Sequence, residues 1–309
     1  MPKDFLSVAD WSADEIFSML ERAQSLRRLH ARGERPQTLQ GRTLAMYFEK
    51  PSLRTHVTFE AGIAQLGGHA VLLRPEQVGI GTRESPRDVA RNLSRWVDVL
   101  MARTFSHALV EQLAAEATIP IINGLTDLLH PCQAMADLQT LAAEKDPQRA
   151  TLVYVGDGNN MANSLLLLAS VVGMKFRLAT PESHRPSSRV RRLAETLAES
   201  SGARLFWTQD PAEAVDGADF IYTDTWTSMG QEEEAEWRRS LFADYQVNES
   251  LLARAPDAFV MHCLPAHRGE EITSEVLDGP RSLVYEQAEN RLHAQKAILE
   301  RLLLGPRTD

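Results

Sequence analysis

TLAMYFEKPSLRTHVTFEAGIAQLGGHAVLL, running from Thr43 to Leu73, decides the fold class. Its opening run, Thr43 to Phe48, is apolar and of strand length. Glu49-Lys50-Pro51-Ser52 is a polar turn. A helical pattern follows, with Val57, Ala61 and Ala64 at helical spacing, and Gly67-Gly68 stops it. Ala70 to Leu73 turns apolar again and reads as the next strand. Two strands joined through a helix imply parallel pairing. The theme extends in both directions. Upstream, Ser12-Ala-Asp-Glu15 is a capping box opening a helix with Ile16, Leu20 and Ala23 on one stripe, running toward Gly33. Downstream come a Gly-rich loop from Gln77 to Arg83, a helix through Val89 to Trp96, and strands at Val99–Ala102 and Ile119–Ile122. A helix over Ala134–Glu144 leads to a hinge at Asp146-Pro147. The alternation then resumes with Thr151–Val155, Lys175–Ala179, Arg204–Trp207, Phe220–Thr223 and Ala258–His262. The reading is α/β: two doubly wound parallel-sheet domains, 1–145 and 146–288, with an active-site cleft between them. The last helical segment, 289–304, is expected to pack back on the first domain.

Composition narrows the function. At roughly 100–200 residues per domain, 309 residues suit two domains. A net charge of −9 argues against a general nucleic-acid or anionic-membrane binder. The longest apolar run, Leu165 to Met174, is broken by Ser170 and Gly173 and falls short of the ~20 residues of a membrane span. MPKDFLSVADW has no apolar core behind a basic end, so no signal peptide and a cytoplasmic location are expected. Cys132 and Cys263 make no disulfide framework, and no Cys/His spacing suggests zinc. Neither a metal nor an organic cofactor is expected.

Five motifs are able to carry chemistry, each with a plainer alternative. Ser52-Leu-Arg-Thr55 stands between a strand and a helix, where free amides, hydroxyls and the Arg54 fork suit a phosphate. An N-cap serine with a surface arginine fits as well. Arg103 follows a strand, where a lone arginine is equally a salt-bridge partner. His130-Pro-Cys-Gln133 opens a helix at its proline and sets His130 and Gln133 about one turn apart. That pair suits a carbonyl oxygen that becomes negative in acyl transfer; a capping histidine with a solvated glutamine is the alternative. In Gly156-Asp-Gly-Asn-Asn160 the third glycine of a dinucleotide fingerprint is replaced by Met161, leaving Asn159 and Asn160 to clamp a carboxylate or to shape the turn. Asp224, with Ser228-Met229-Gly230 behind it, can hold an amine or cap a helix. In His262-Cys263-Leu264-Pro265 the cysteine is either packing or, beside a cation, a useful thiol.

Phe48-Glu-Lys-Pro-Ser-Leu-Arg-Thr55, His130-Pro-Cys-Gln133, Asp224-Thr-Trp-Thr-Ser-Met-Gly230 and His262-Cys-Leu-Pro265 occur in the order found in ornithine carbamoyltransferases. The chain resembles that family over nearly its whole length. The first two motifs are shared by all carbamoyltransferases, aspartate carbamoyltransferase included; the last two point to ornithine. The resemblance implies that Ser52, Leu53 through its amide, Arg54 and Thr55 grip the phosphate of carbamoyl phosphate. It implies that Arg103 bridges phosphate and carbonyl and that His130 and Gln133, in their His130-Pro131-Cys132-Gln133 motif, polarise the carbamoyl group. Cys263 and Leu264 carbonyls would accept from the carbamoyl NH2, and Arg291 would be a final contact. Asn160 would hold the ornithine carboxylate, Ser228 and Met229 the α-amino end, Asp224 and Cys263 the side-chain amine. Gln77 would reach a neighbouring subunit's site, implying a homotrimer or multiples of one. The sequence departs from the family's common Ser-Thr-Arg-Thr-Arg at Leu53 and at His56, the latter exchanging a permanent charge for a titratable one.

The reaction so implied is direct attack of the L-ornithine amine on carbamoyl phosphate, giving L-citrulline and phosphate within arginine metabolism. Carbamoylation of acetylornithine, succinylornithine, putrescine or aspartate is the nearest rival. A non-catalytic sensor of phosphate or amino acid is a rival of another class, and a nicotinamide-dependent dehydrogenase a third.

Overall fold

Alternation of strand and helix becomes two all-parallel sheets in this computed structural model, which describes residues 4–227 and 232–306. The first sheet contains β1 (Thr43–Phe48), β2 (His69–Leu73), β3 (Val99–Arg103) and β4 (Ile121–Leu125) in the order β2-β1-β3-β4. The second contains β5 (Thr151–Val155), β6 (Lys175–Ala179), β7 (Arg204–Thr208), β8 (Phe220–Thr223) and β9 (Phe259–His262) in the order β7-β6-β5-β8-β9. Each sheet belongs to its own compact unit. One unit is the chain up to Gln139 together with the chain from Glu289 onward; the other is Thr140–Ala288.

Burial follows strand position. Every residue of β3, β5 and β8 is buried, as strands covered on both faces require, whereas the edge strands β2 and β7 alternate with exposed residues. Each sheet also reverses its winding once. The chain moves outward from β1 to β2 and returns to pair β3 on the other side of β1. It moves from β5 through β6 to β7 and returns to pair β8 with β5. Ligands of open parallel sheets sit beyond the carboxyl ends of strands at such a reversal. Topology therefore directs attention to the residues after β1 and β3 in one unit, and after β5 and β8 in the other.

The Leu53–Gln65 helix buries a different face from the one its alanines suggest. Val57 is 52% exposed and Ala64 faces solvent, while Thr55, Phe59, Gly62 and Ile63 are buried. Burial is driven by apolar area, of which Phe59 and Ile63 carry more than alanines do. At Gly62 an added Cβ would lie 3.3 Å from Lys296, so the small residue admits the final helix closely. Other departures concern boundaries: β4 begins at Ile121, Gln77 lies in a short helix, Pro75–Val78, and the last helix begins at Val284 rather than Glu289.

The Ala13–Ala31 helix starts as expected. Ser12 Oγ accepts from the Glu15 amide at 3.3 Å, and Glu15 Oε2 accepts from the Ser12 amide at 3.1 Å. The last helix, Val284–Leu304, is tied to it within the first unit by Arg22 Nη2 donating to Glu300 at 2.8 Å and Arg301 Nη2 donating to Glu15 at 2.9 Å. Among the described residues no helix is long and apolar enough to cross a membrane.

His293 of the last helix is fully buried against the edge of His30, ring centroids 5.2 Å apart. Burial, then the Lys296 cation, hold its imidazole down at about 4, against the pull of Glu289. The unfolded chain takes up a proton there near pH ~6.5 and the folded chain does not, so stability is lost as pH falls from there toward about 4. His30, His130 and His184 are shifted in the same direction. Melting scans between about pH 7 and about pH 5 should show a falling midpoint, and His293→Gln should flatten the fall. An unchanged slope in that variant would place the acid lability elsewhere.

Candidate active site

In the first unit, the turn after β1 ends at Ser52, which caps the Leu53–Gln65 helix by accepting from the Thr55 amide at 3.2 Å. The Leu53 and Arg54 amides stand in the first turn, at the positive end of the helix dipole. The Leu53 side chain is 75% exposed, so its identity has little bearing on what its amide meets. Thr55 points inward and is fully buried. Its Oγ1 accepts from Arg103 Nη1 at 3.3 Å and from Arg291 Nη2 at 2.7 Å. A hydroxyl has two lone pairs and one proton, so two guanidinium donors leave the Thr55 proton to be offered onward.

Arg291 reaches this cluster from the last helix. Its Nη1 donates to Gln133 Oε1 at 2.8 Å, and Gln133 Nε2 donates in turn to Asp137 Oδ1 at 2.8 Å. The Gln133 amide is thereby oriented, oxygen to the guanidinium and nitrogen to the carboxylate. Asp137 was not among the residues singled out from sequence. Its spacing four residues after Gln133, on the same helical face of Pro131–Glu144, is the signal that could have found it.

His130 precedes that helix and is buried. Burial, then Arg291, Arg103 and Arg54, hold its imidazole well below the usual range, so it is a neutral N–H donor rather than a cation. Cys132 is buried beside the Asn123 carbonyl, to which its Sγ donates at 3.4 Å, and burial pushes its thiol up to about 12. Its thiol therefore stays protonated at neutral pH. Gln77 is exposed, on the short helix that follows edge strand β2. His56 is turned to Glu60 Oε2 at 3.1 Å and lies against the Phe48 ring.

In the second unit, β5, β8 and β9 are neighbours, and the residues just past their ends meet. Asp224 is central and buried. Its Oδ1 accepts from Cys263 Sγ at 3.2 Å and its Oδ2 accepts from Asn159 Nδ2 at 2.9 Å. Asn160 is the first residue of the Asn160–Val172 helix and is half-buried. The turn between Gly156 and Asn160 requires glycine at 158, where an added Cβ would meet the His184 carbonyl oxygen at 2.1 Å. Asp157 pairs with buried Arg238, whose Nε also donates to the Trp226 carbonyl at 2.5 Å. Burial pushes the Asp157 carboxyl up to about 7, against the pull of Arg238. Ser228 and Met229 lie outside the described residues.

Leu264 adopts a left-handed φ of 58°, a strained conformation for a side chain branched as leucine is. It is held there by its amide, which donates to His262 Nδ1 at 2.8 Å. That bond puts the ring proton on Nε2, which faces Glu271 Oε1 at 3.1 Å in a fully buried pair. Glu271 also accepts from the His267 amide at 2.6 Å. Nothing in the sequence marked Glu271, because the contact spans a loop of no fixed geometry. Ligating atoms of Asp224, His262 and Cys263 lie within 4.8 Å of one another, a spacing that a metal could use. Both His262 nitrogens and the Cys263 thiol are instead committed to the bonds just described.

The cation-crowded setting of His130 is testable. Its ring resonances in an NMR titration should show no protonation step near pH ~6.5; a step there would mean that the arginines do not surround it.

Residues 3–143 match the carbamoyl-P binding domain of the aspartate/ornithine carbamoyltransferases, and residues 148–302 match the Asp/Orn binding domain of the same family. An ornithine carbamoyltransferase of Anoxybacillus flavithermus is 53% identical over 303 residues, covering 97% of this chain and 96% of that one. The solved ornithine carbamoyltransferase from Pyrococcus furiosus superposes with a TM-score of 0.95 at 48% identity, covering 98% of both chains. The anabolic ornithine carbamoyltransferase from Campylobacter jejuni superposes with a TM-score of 0.92 at 35% identity, covering 97% of this chain and 99% of that one. With both halves matched and relatives of this closeness along almost its full length, the chain belongs to the aspartate/ornithine carbamoyltransferase family.

Proposed function

We propose that this chain transfers the carbamoyl group of carbamoyl phosphate to the side-chain amine of L-ornithine, giving L-citrulline and phosphate. The observation that carries the choice of acceptor is Asp224, a buried carboxylate bonded to Cys263 at the reversal point of the second sheet. A carboxylate there favours a cationic amine and opposes aspartate, which would meet it with like charge. The anion half of the reading rests on the capped helix start at Ser52 with Arg54, Arg103 and Arg291 around Thr55.

The transfer is a two-bond exchange. The lone pair of the deprotonated ornithine amine forms a bond to the carbamoyl carbon, and the carbonyl electrons move to oxygen. Collapse breaks the bond to the bridging oxygen, which leaves with phosphate, and the amine proton is lost. Asp224 and Cys263 hold the amine and take part in that loss. Thr55, with its proton directed outward by two arginines, joins Arg103 and the neutral His130 in stabilising the oxyanion. Ser52, Arg54 and the first-turn amides hold the departing phosphate. Gln133 keeps Arg291 in place, and the Cys263 and Leu264 carbonyls receive the carbamoyl NH2. Asn160 takes the ornithine carboxylate, with Ser228 and Met229 at its α-amino end.

The proposed assembly is a trimer, or a multiple of one, in which Gln77 enters a neighbouring site. The apolar Leu53 and Val57, exposed on one helix of the same unit, are consistent with surface left for such packing. The carbamoyl-phosphate domain is read as 1–145 with 289–304 returning, the ornithine domain as 146–288, and the location as the cytoplasm.

Product formation from carbamoyl phosphate should occur with ornithine and not with acetylornithine, putrescine or aspartate, a chelator being present throughout. A different preferred amine would remove the role given to Asp224. Arg291→Lys should raise the KM for carbamoyl phosphate about tenfold or more, since an ammonium cannot bond Thr55 and Gln133 together as a fork does. Cys263→Ala should lower kcat and displace its pH profile; a profile identical to the parent's would take Cys263 out of the chemistry.

A further inference from the structure

Asn159 has a double set of bonds. As the cap of the Asn160–Val172 helix, its Oδ1 accepts from the Met161 amide at 2.8 Å and the Ala162 amide at 3.2 Å, and also from the Tyr154 hydroxyl at 3.2 Å. Three donors on the oxygen fix which way the amide faces. The nitrogen must then point away from the helix, and it lies 2.9 Å from Asp224 Oδ2. A serine, threonine or aspartate would cap the helix as well as asparagine does. Only the amide offers, on the opposite side of the same group, a donor to a carboxylate.

Asp224 has few other means of holding its orientation. Among the described residues its oxygens receive two hydrogen bonds, one from Asn159 and one from the Cys263 thiol. Among the described residues, the ionisable groups near it include Tyr154 and Asp157, from β5 and the turn after it, His262 from the end of β9, and Glu271, which like Asp224 acts on Tyr154. None of these brings a cation: His262 is committed to Leu264 and Glu271, and Arg238 is engaged by Asp157 and the Trp226 carbonyl. In the proposed reaction the Cys263 thiol takes part in the amine's proton loss, so its bond to Asp224 belongs to the chemistry, whereas the Asn159 bond does not.

We propose that Asn159 is a positioning residue that turns Asp224 toward the acceptor amine, the helix cap serving as the fixed end of the lever. The inference rests on the reading of Asp224 as the amine's partner. It adds that the affinity for ornithine depends on a residue that need not touch ornithine.

Asn159→Ser and Asn159→Asp separate this role from capping, since both keep a capping oxygen. Serine removes the donor to Asp224; aspartate removes it and sets a second carboxylate against it. Relative to the parent, the KM for ornithine should rise about tenfold or more in Asn159→Ser, the loss of one bond to a charged group, and further in Asn159→Asp. The KM for carbamoyl phosphate should move far less than that for ornithine in both, since the residues proposed for its phosphate lie in the other unit and Cys263 and Leu264 would meet it only through backbone carbonyls. If ornithine KM is at the parental value in both variants, Asn159 is a cap and the inference fails. A rise in Asn159→Asp alone would overturn it as well, because the added charge and not the lost donor would then be responsible. Absence of citrulline from the parent protein would instead strike at the reaction itself, so the two failures are told apart.

Discussion

Each sheet reverses its winding once, and the chemistry of the chain hangs on those two reversals. At a reversal the segments leaving neighbouring strands diverge, and the backbone amides and side chains just past the strand ends face an opening instead of a covering helix. In the first unit this brings the capped helix start after β1 beside Arg103 at the end of β3. In the second it brings Asn159, Asp224 and Cys263 from beyond three adjacent strands into one bonded row. Neither grouping is local in sequence, and both follow from strand order.

The two groupings solve opposite electrostatic problems. The first unit gathers three arginines and keeps their charge useful by denying it to histidine: burial and the arginines together leave His130 uncharged. Arg103 and Arg291 share the Thr55 hydroxyl, and Arg291 also meets the Gln133 amide, so that these two guanidinium groups are oriented by neutral groups that cost no counter-charge. The second unit centres on a carboxylate held by neutral donors. In the proposed function, anion and cation binding are thus largely separated by unit, each with its own hydrogen-bonded backing.

Much of this was legible in the sequence. The stretch from Thr43 to Leu73 gave the parallel class because strand length, turn and helix stop coincide there, and Ser12 with Glu15 formed the capping box they spell. The Leu53–Gln65 helix was legible from Val57, Ala61 and Ala64, but which face it buries was not, because that spacing competes with the larger Phe59 and Ile63. Site residues on strand ends were visible because a polar group directly after an apolar run is conspicuous. Their partners were not. Asp137 looks like an ordinary helical acid and Glu271 lies in a loop, while Asn159 stood out only as a carboxylate clamp or turn former, so their roles depend on what tertiary structure sets opposite them.

The first unit is discontinuous: its arginine cluster around Thr55 is completed by Arg291, from the segment after Glu289, while the second unit is the unbroken stretch Thr140–Ala288. During synthesis from the N-terminus, all of the second unit emerges before the residue that finishes the first. A nascent chain can therefore order its second unit while the first still lacks Arg291 and the helix that packs beside Gly62.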